Sequence, residues 1–156
     1  MLHLIPAPLH RALYRVADRI RRRWWGVRKP RRRSVNVLAL DEKGRVLLVR
    51  HSYGKRVWAL PGGGVGRNEE PHEAAVREFR EELQCEIEDV RPLVSSEEPI
   101  SGSLDLQHVF VARLAGIPVP DMREVVEVET FEVEALPENV GRLSRRRIDE
   151  WLKTGA

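Results

Sequence analysis

The chain has 156 residues, 42% hydrophobic and 33% charged, which suits one soluble globular domain with a buried core. A single cysteine rules out an internal disulfide and points to a reducing compartment, here the cytoplasm, and no apolar run reaches the length of a membrane span or a secretory signal. The net charge of +3 conceals an asymmetry: residues 1–33 carry eleven Lys/Arg against one acid, Asp18, a net +10, whereas the remainder carries 16 bases against 23 acids, a net −7. An acidic body suits cation binding, and a basic arm suits an anionic partner.

In chain order, Leu9, Leu13, Val16, Ala17, Ile20 and Trp24 fall at helical spacing, with Arg11, Arg15, Arg19 and Arg22 off that stripe. This predicts an amphipathic N-terminal helix, closed by Gly26 and Pro30. Residues 1–33 are read as an arm and 34–156 as the folded domain. Val35–Leu40 and Arg45–Arg50 read as strands joined by the turn Asp41-Glu42-Lys43-Gly44. Their continuous apolar character suits a sheet covered on both faces. A third short strand is expected at Val57–Leu60, running into the irregular Pro61-Gly62-Gly63-Gly64. Glu70–Leu83 reads as a helix with Pro71 in its first turn. Strands are expected at Ile87–Val94, Gln107–Leu114 and Val125–Val133, and a closing helix at Ser144–Leu152 with Ser144 as its N-cap. The fold class is α/β, a sheet with helices on its faces.

The central helix holds the chemically informative residues. Glu78, Glu81 and Glu82 stand at i, i+3 and i+4 and so share one helical face, while Ala75, Val76, Phe79 and Leu83 occupy another that should meet the core. Like charges so placed repel by a few tenths of a kcal/mol per exposed pair. A hard divalent cation, Mg²⁺ or Mn²⁺, would reverse that cost; a plain solvated acidic face is the other reading. The Gly-rich turn ahead of the helix lets backbone approach a ligand, or is only a connecting loop. Glu69, eight residues before Arg77, is spaced to pair with it and fix the helix against that loop; a solvated surface position is the other reading.

Together these residues resemble the Nudix box: Gly, five residues, Glu, seven residues, Arg-Glu, an apolar residue, any residue, Glu-Glu, any residue, Gly, an apolar residue. The chain supplies Gly63, Glu69, Arg77-Glu78, Phe79, Arg80, Glu81-Glu82, Leu83, Gln84 and Cys85. All five charged positions match. Gln84 replaces the box Gly, and Cys85 is a loose match to the last position. A Gly there would end the helix in a left-handed conformation, so Gln84 predicts a strained or altered helix end. Cys85 reads as a packed thiol, because no activating partner is evident.

The resemblance implies a Nudix-type α/β/α sandwich with a mixed central sheet. It also implies hydrolysis of a nucleoside diphosphate linked to another group, using Mg²⁺ or Mn²⁺. Glu78, Glu81 and Glu82 are then the metal ligands, one of them also a base, with a main-chain carbonyl of Gly62 or Gly63 as a further ligand. Arg77 and Glu69 become orienting partners. An acid from a later loop is often recruited, with Glu124 first and Glu127 and Glu98 behind it, each otherwise a solvated charge. Arg50, Lys55 and Arg56 flank the expected cleft and would meet phosphates or serve as surface charge; Trp58 reads as packing, and His51 and His72 show no metal spacing. The alternative function is a catalytically silent Nudix-fold module that binds a nucleotide or RNA. For the arm, an RNA or anionic membrane partner competes with a packing helix or a homodimer contact.

Overall fold

The computed structural model describes residues 31–100 and 103–155, together with Leu13 and Ala17. Leu13 and Ala17 are helical and exposed; the rest of the predicted arm helix lies outside the described residues. Among the described residues no helix is long and apolar enough to cross a membrane.

Five strands form one mixed sheet: β1 (Arg32–Leu40), β2 (Val46–His51), β3 (Ile87–Ile100), β4 (Ser103–Leu114) and β5 (Val125–Phe131), in the order β3-β4-β1-β2-β5. Only β1 and β4 are parallel; the other neighbours run antiparallel. Helix α1 (Pro71–Leu83) covers one face and α2 (Arg142–Leu152) the other. Alternate residues of β1 therefore enter two cores. Val35 and Val37 pack with Leu47, Phe79 and Leu83 under α1. Leu38 packs with Leu48, Trp58, Ile148 and Trp151 under α2. Both faces being covered, the apolar runs of β1 and β2 need no polar alternation, and the α/β/α sandwich is as expected.

Several boundaries differ. β1 begins at Arg32, inside the span read as the arm, because Arg32 and Arg33 pair with Asp105 and Leu106 of β4. The expected strand at Val57–Leu60 is reduced to isolated bridges, Val49 with Ala59 and Trp58 with Val140. β3 runs on to Ile100 and β4 starts at Ser103, so the β3–β4 hairpin is longer than its apolar segments announce. Val133 belongs to a 3₁₀ turn, not to β5. Ser144 is not the N-cap of α2; the helix starts at Arg142 behind Gly141, and the Ser144 hydroxyl instead accepts the Leu60 N–H at 3.0 Å. The Asp41–Gly44 turn forms as read, with Asp41 Oδ1 accepting the amides of Lys43 and Arg45.

Helix α1 ends on a non-glycine residue in the left-handed region. Gln84 has φ 50° and ψ 32°, and its N–H donates to the Arg80 carbonyl. That is the strained end predicted for a helix lacking the box Gly. Gln84→Gly should relieve the Cβ clash and stabilise the fold by about 1 kcal/mol. Urea unfolding with an unchanged slope and a higher midpoint is the expected result.

Candidate active site

The segment from Pro61 to Val65 runs beside β1 as a backbone-paired loop. Val37 N–H donates to the Pro61 carbonyl and Val35 N–H to the Gly63 carbonyl, both at 2.9 Å, and Val65 N–H donates to Arg33. Glycine is required at two places. Gly62 has φ +149°, and a Cβ on it would overlap the Val35 carbonyl oxygen. A Cβ on Gly63 would overlap the Glu78 carboxyl group. The loop thus presses main chain against α1 at the height of its acids. Of the two carbonyls expected to face a cation, Gly63's accepts the Val35 N–H and keeps a second lone pair.

The three box acids do not share one environment. Along α1, Glu81 and Glu82 are about 100° apart, so one turns outward and the other inward. The Glu81 side chain is 62% exposed, whereas Glu82 is only 5% exposed and lies on the same face as Phe79 and Leu83. Glu78 sits between them. The clean separation of an acidic face from a core face is therefore corrected: the acidic arc straddles the edge of the core.

Glu82 Oε2 accepts the Gly62 N–H at 3.0 Å, and Oε1 lies 4.0 Å from His51 Nδ1. Burial drives its pKa well above the usual carboxylate range, reinforced by the charges of Glu78, Glu124 and Asp121. The Glu78 pKa is raised too, chiefly by burial, with Arg77 opposing and Glu81 and Glu124 adding to the rise. Arg77 compensates Glu78 only in part, and clustered carboxylates of this kind are the donor chemistry a hard divalent cation fits.

Arg77 organises the opposite side. Its Nε and Nη2 make a bidentate pair with Glu69 at 2.7 and 2.9 Å. Nη2 also reaches the Gly64 carbonyl at 3.0 Å, and Nη1 reaches Glu78 at 2.9 Å and Glu81 at 3.4 Å. Glu69 further accepts the Gly66 N–H, and the Arg77 and Gly66 bonds hold its pKa down to about 2. The Glu69–Arg77 pair expected from spacing is present, and it ties loop to helix. Among the described residues no three acids or histidines enclose a cation as the side chains stand; Arg77 spans two of the carboxylates that would.

A scan against family models matches the NUDIX domain over residues 30–152. The chain belongs to the Nudix family. It is 32% identical over 106 residues to an ADP-ribose pyrophosphatase of Mycobacterium tuberculosis, covering 65% of this chain and 48% of that protein. It is 40% identical over 65 residues to an RNA pyrophosphohydrolase of Hamiltonella defensa, covering 42% of this chain and 39% of that protein. The chain spans about half or less of the length of these relatives. In fold it is similar to a MutT Nudix hydrolase from Burkholderia pseudomallei, with TM-score 0.70 and 23% identity over 78% of this chain and 98% of that one. A MutT protein from Methanosarcina mazei gives TM-score 0.69 and 24% identity over 81% and 96%.

Around the Nudix box the remaining candidates separate. Glu124 faces the same acids, being close enough to raise both Glu78 and Glu82, and it accepts from the Tyr53 hydroxyl at 3.4 Å. Glu127 and Glu98 are elsewhere, paired with Arg50 and with Arg146 and Arg147. Arg50 pairs with Glu127 at 2.7 Å and lies over the Trp58 ring, which itself packs on Phe131. Arg56 is exposed, and neither arginine lines the cavity beside Gly62. Cys85 is buried and its thiol is pushed up by desolvation, as befits packing. His51 and Tyr53 carried no motif; only the end of β2 brings them to the acids.

Glu82 gives a signed prediction. Its pKa is raised in the folded state, so the unfolded chain loses this proton first as pH rises. Its favourable contribution is present below the unfolded carboxylate range, about pH 4, and is lost as pH climbs through the folded pKa. Glu82→Gln removes that penalty and keeps an acceptor for Gly62. Without divalent cations the variant should gain about 1 kcal/mol at pH 8, roughly 2–4 °C in Tm, and little at pH 4. Thermal melts at both pH values check this, and a variant less stable than the parent at pH 8 contradicts it.

Proposed function

We propose that the protein hydrolyses a pyrophosphate bond in a nucleoside diphosphate derivative, with Mg²⁺ or Mn²⁺ held by Glu78, Glu81, Glu82 and a main-chain carbonyl of Gly62 or Gly63. The observation that carries this reading is the buried Glu82 beside Glu78 and Glu124, a concentration of negative charge at a glycine loop; among the described residues no Lys or Arg pairs with Glu82, and His51 Nδ1 stands 4.0 Å from it. The names of the pyrophosphatase and pyrophosphohydrolase relatives support it.

When bound, the cation neutralises the phosphate oxygens and lowers the charge barrier to an attacking nucleophile. The protein's own part is positional. Gly62 N–H fixes the rotamer of Glu82. Arg77 fixes Glu78 and holds α1 against the loop through Glu69, so both carboxylates keep their heights on the helix. Glu124 Oε2, steadied by Tyr53, takes the proton of the attacking water. The site is formed by the interior strands β1 and β2, a helix and two loops, so phosphate chemistry happens on a rigid scaffold.

The test is a hydrolysis panel in Mg²⁺ over nucleoside triphosphates, dinucleoside polyphosphates, nucleotide sugars, ADP-ribose and 5′-triphosphorylated RNA. At least one should be turned over, and chelation should abolish the rate. Glu78→Gln should lower kcat by about 10²-fold or more and Glu124→Gln by about 10²–10⁴-fold, whereas Glu69→Gln should cost about 10–100-fold. Binding without turnover across the panel would support a silent nucleotide-binding module instead.

The basic arm is proposed to be separate from this chemistry. Since β1 starts at Arg32, a truncation that respects the sheet removes residues 1–30. It should turn over small substrates at the parental rate, and a folded but inactive truncation would show the arm to be part of the site.

A further inference from the structure

Between α2 and the sheet, beside the acids, lies a cavity of about 410 Å³. Gly62 and His51, which approach Glu82 at 3.0 and 4.0 Å, are among the residues that line it. Leu60, Ile100 and Leu143 give it apolar walls. Gln107, which is only 4% exposed, also lines it.

The orientation of the Gln107 amide is forced. Arg147 is 1% exposed, and both its Nε and its Nη2 donate to Gln107 Oε1 at 3.2 Å. A guanidinium has donors only, so the atom facing it must be the amide oxygen. The Gln107 Nε2 group is thereby turned away from Arg147, and among the described residues no acceptor takes it. Arg147 is itself anchored by Glu98 at 2.9 Å and Glu150 at 2.8 Å. Its charge is spent on those carboxylates, so it is not free to bind an anion. Asn36 also lines the cavity, but a single long bond of 3.5 Å to the Leu60 carbonyl holds its amide, and it can turn to suit either partner. Gln107 therefore offers the cavity a fixed, neutral donor beside the other polar groups that line it, Asn36, His51, Arg142 and Ser144.

We infer that Gln107, locked by Arg147, is a specificity-determining residue that selects a ring carbonyl over a ring amino group, so that keto nucleobases are preferred to their amino counterparts. This rests on the proposed nucleotide hydrolysis, because it takes the acids as the place where the phosphates lie. A base whose phosphates reach the acids extends into this adjoining cavity. An amino substituent aimed at Nε2 sets donor against donor, and one of them is left buried and unpaired.

The test is calorimetric binding of four 5′-monophosphates to the full chain in Mg²⁺, inosine against adenosine and uridine against cytidine. None has a phosphoanhydride, so binding is read without turnover. The keto member of each pair should bind about tenfold more tightly. Gln107→Glu keeps an acceptor on Arg147 and turns a second acceptor to the cavity, so it should abolish or reverse the preference. Equal affinities in the parent, no binding by any of the four, or a preference unchanged in Gln107→Glu would overturn the inference. Hydrolysis is scored separately: turnover without base preference defeats this inference alone, and base preference without turnover upholds it while defeating the proposed reaction.

Discussion

A buried carboxylate with one main-chain donor sets the terms for the whole site. Glu82 projects from the core face of α1, where a leucine or alanine would be the stabilising choice, and its Oε2 takes the Gly62 N–H. Taking an ionised carboxyl out of water costs far more than one such hydrogen bond returns. Neighbouring acids worsen the balance. The fold tolerates this because the rest of α1 is well seated: Ala74, Ala75, Phe79 and Leu83 are all buried against the sheet. An unfavourable electrostatic arrangement held by a favourable apolar one supports the cation site proposed above. The glycines follow from the same constraint, since the loop can donate to Glu82 and lie against Glu78 only if two successive residues have no Cβ.

Arg77 resolves the geometry on the exposed side without satisfying the buried side. Its fork is committed to Glu69 in a bidentate pair, and the remaining nitrogen spans Glu78 and Glu81. The guanidinium thus sets the spacing between loop and helix while leaving Glu82 to the interior. A lysine would supply the charge but not the planar fork that ties three carboxylates and a carbonyl at once. With Glu69 ionised down to about pH 2, its tie to Arg77 persists at all pH values where the buried acids change state, while the same guanidinium opposes the rise of the Glu78 pKa.

The parts of this arrangement that were readable in advance are those fixed locally. The i, i+3, i+4 acids, the Glu69–Arg77 spacing and the left-handed Gln84 all depend on helix geometry within a few turns. Among the later acids, Glu124 lies close to Glu78 and Glu82, whereas Glu127 and Glu98 pair with arginines. Long-range placement was not readable. Nothing in the order of residues says that the end of β2 brings His51 and Tyr53 to α1, or that Gln107 of β4 meets Arg147 of α2, 40 positions later. Ser144 has the chemistry of an N-cap, yet the chain reaches helical geometry two residues earlier and the hydroxyl is used across the structure by Leu60. The burial of Glu82 was likewise hidden, because a glutamate on the core side of an arc contradicts its own hydropathy.

The loop that carries Glu124 shows how the end of α1 and the fourth acid are joined. The last carbonyls of a helix lack intrahelical partners. Here the Val119 N–H takes the Leu83 carbonyl at 2.7 Å and the Asp121 N–H takes the Glu82 carbonyl at 2.9 Å. The residue supplying a buried carboxylate thus also anchors the loop through its backbone. Asp121 then turns its side chain onto the amides of Arg123, Glu124 and Val125, and Ser52 closes the other side by bonding the carbonyls of Arg123 and Glu124. Glu124 is fixed from both flanks before its side chain makes any contact. A helix ending on a strained Gln84 would fray if left alone; capped by this loop it cannot fray without releasing Glu124. The stability of the helix end and the position of the acid are one property of the fold, and the left-handed residue is tolerated because the loop holds the turn in place.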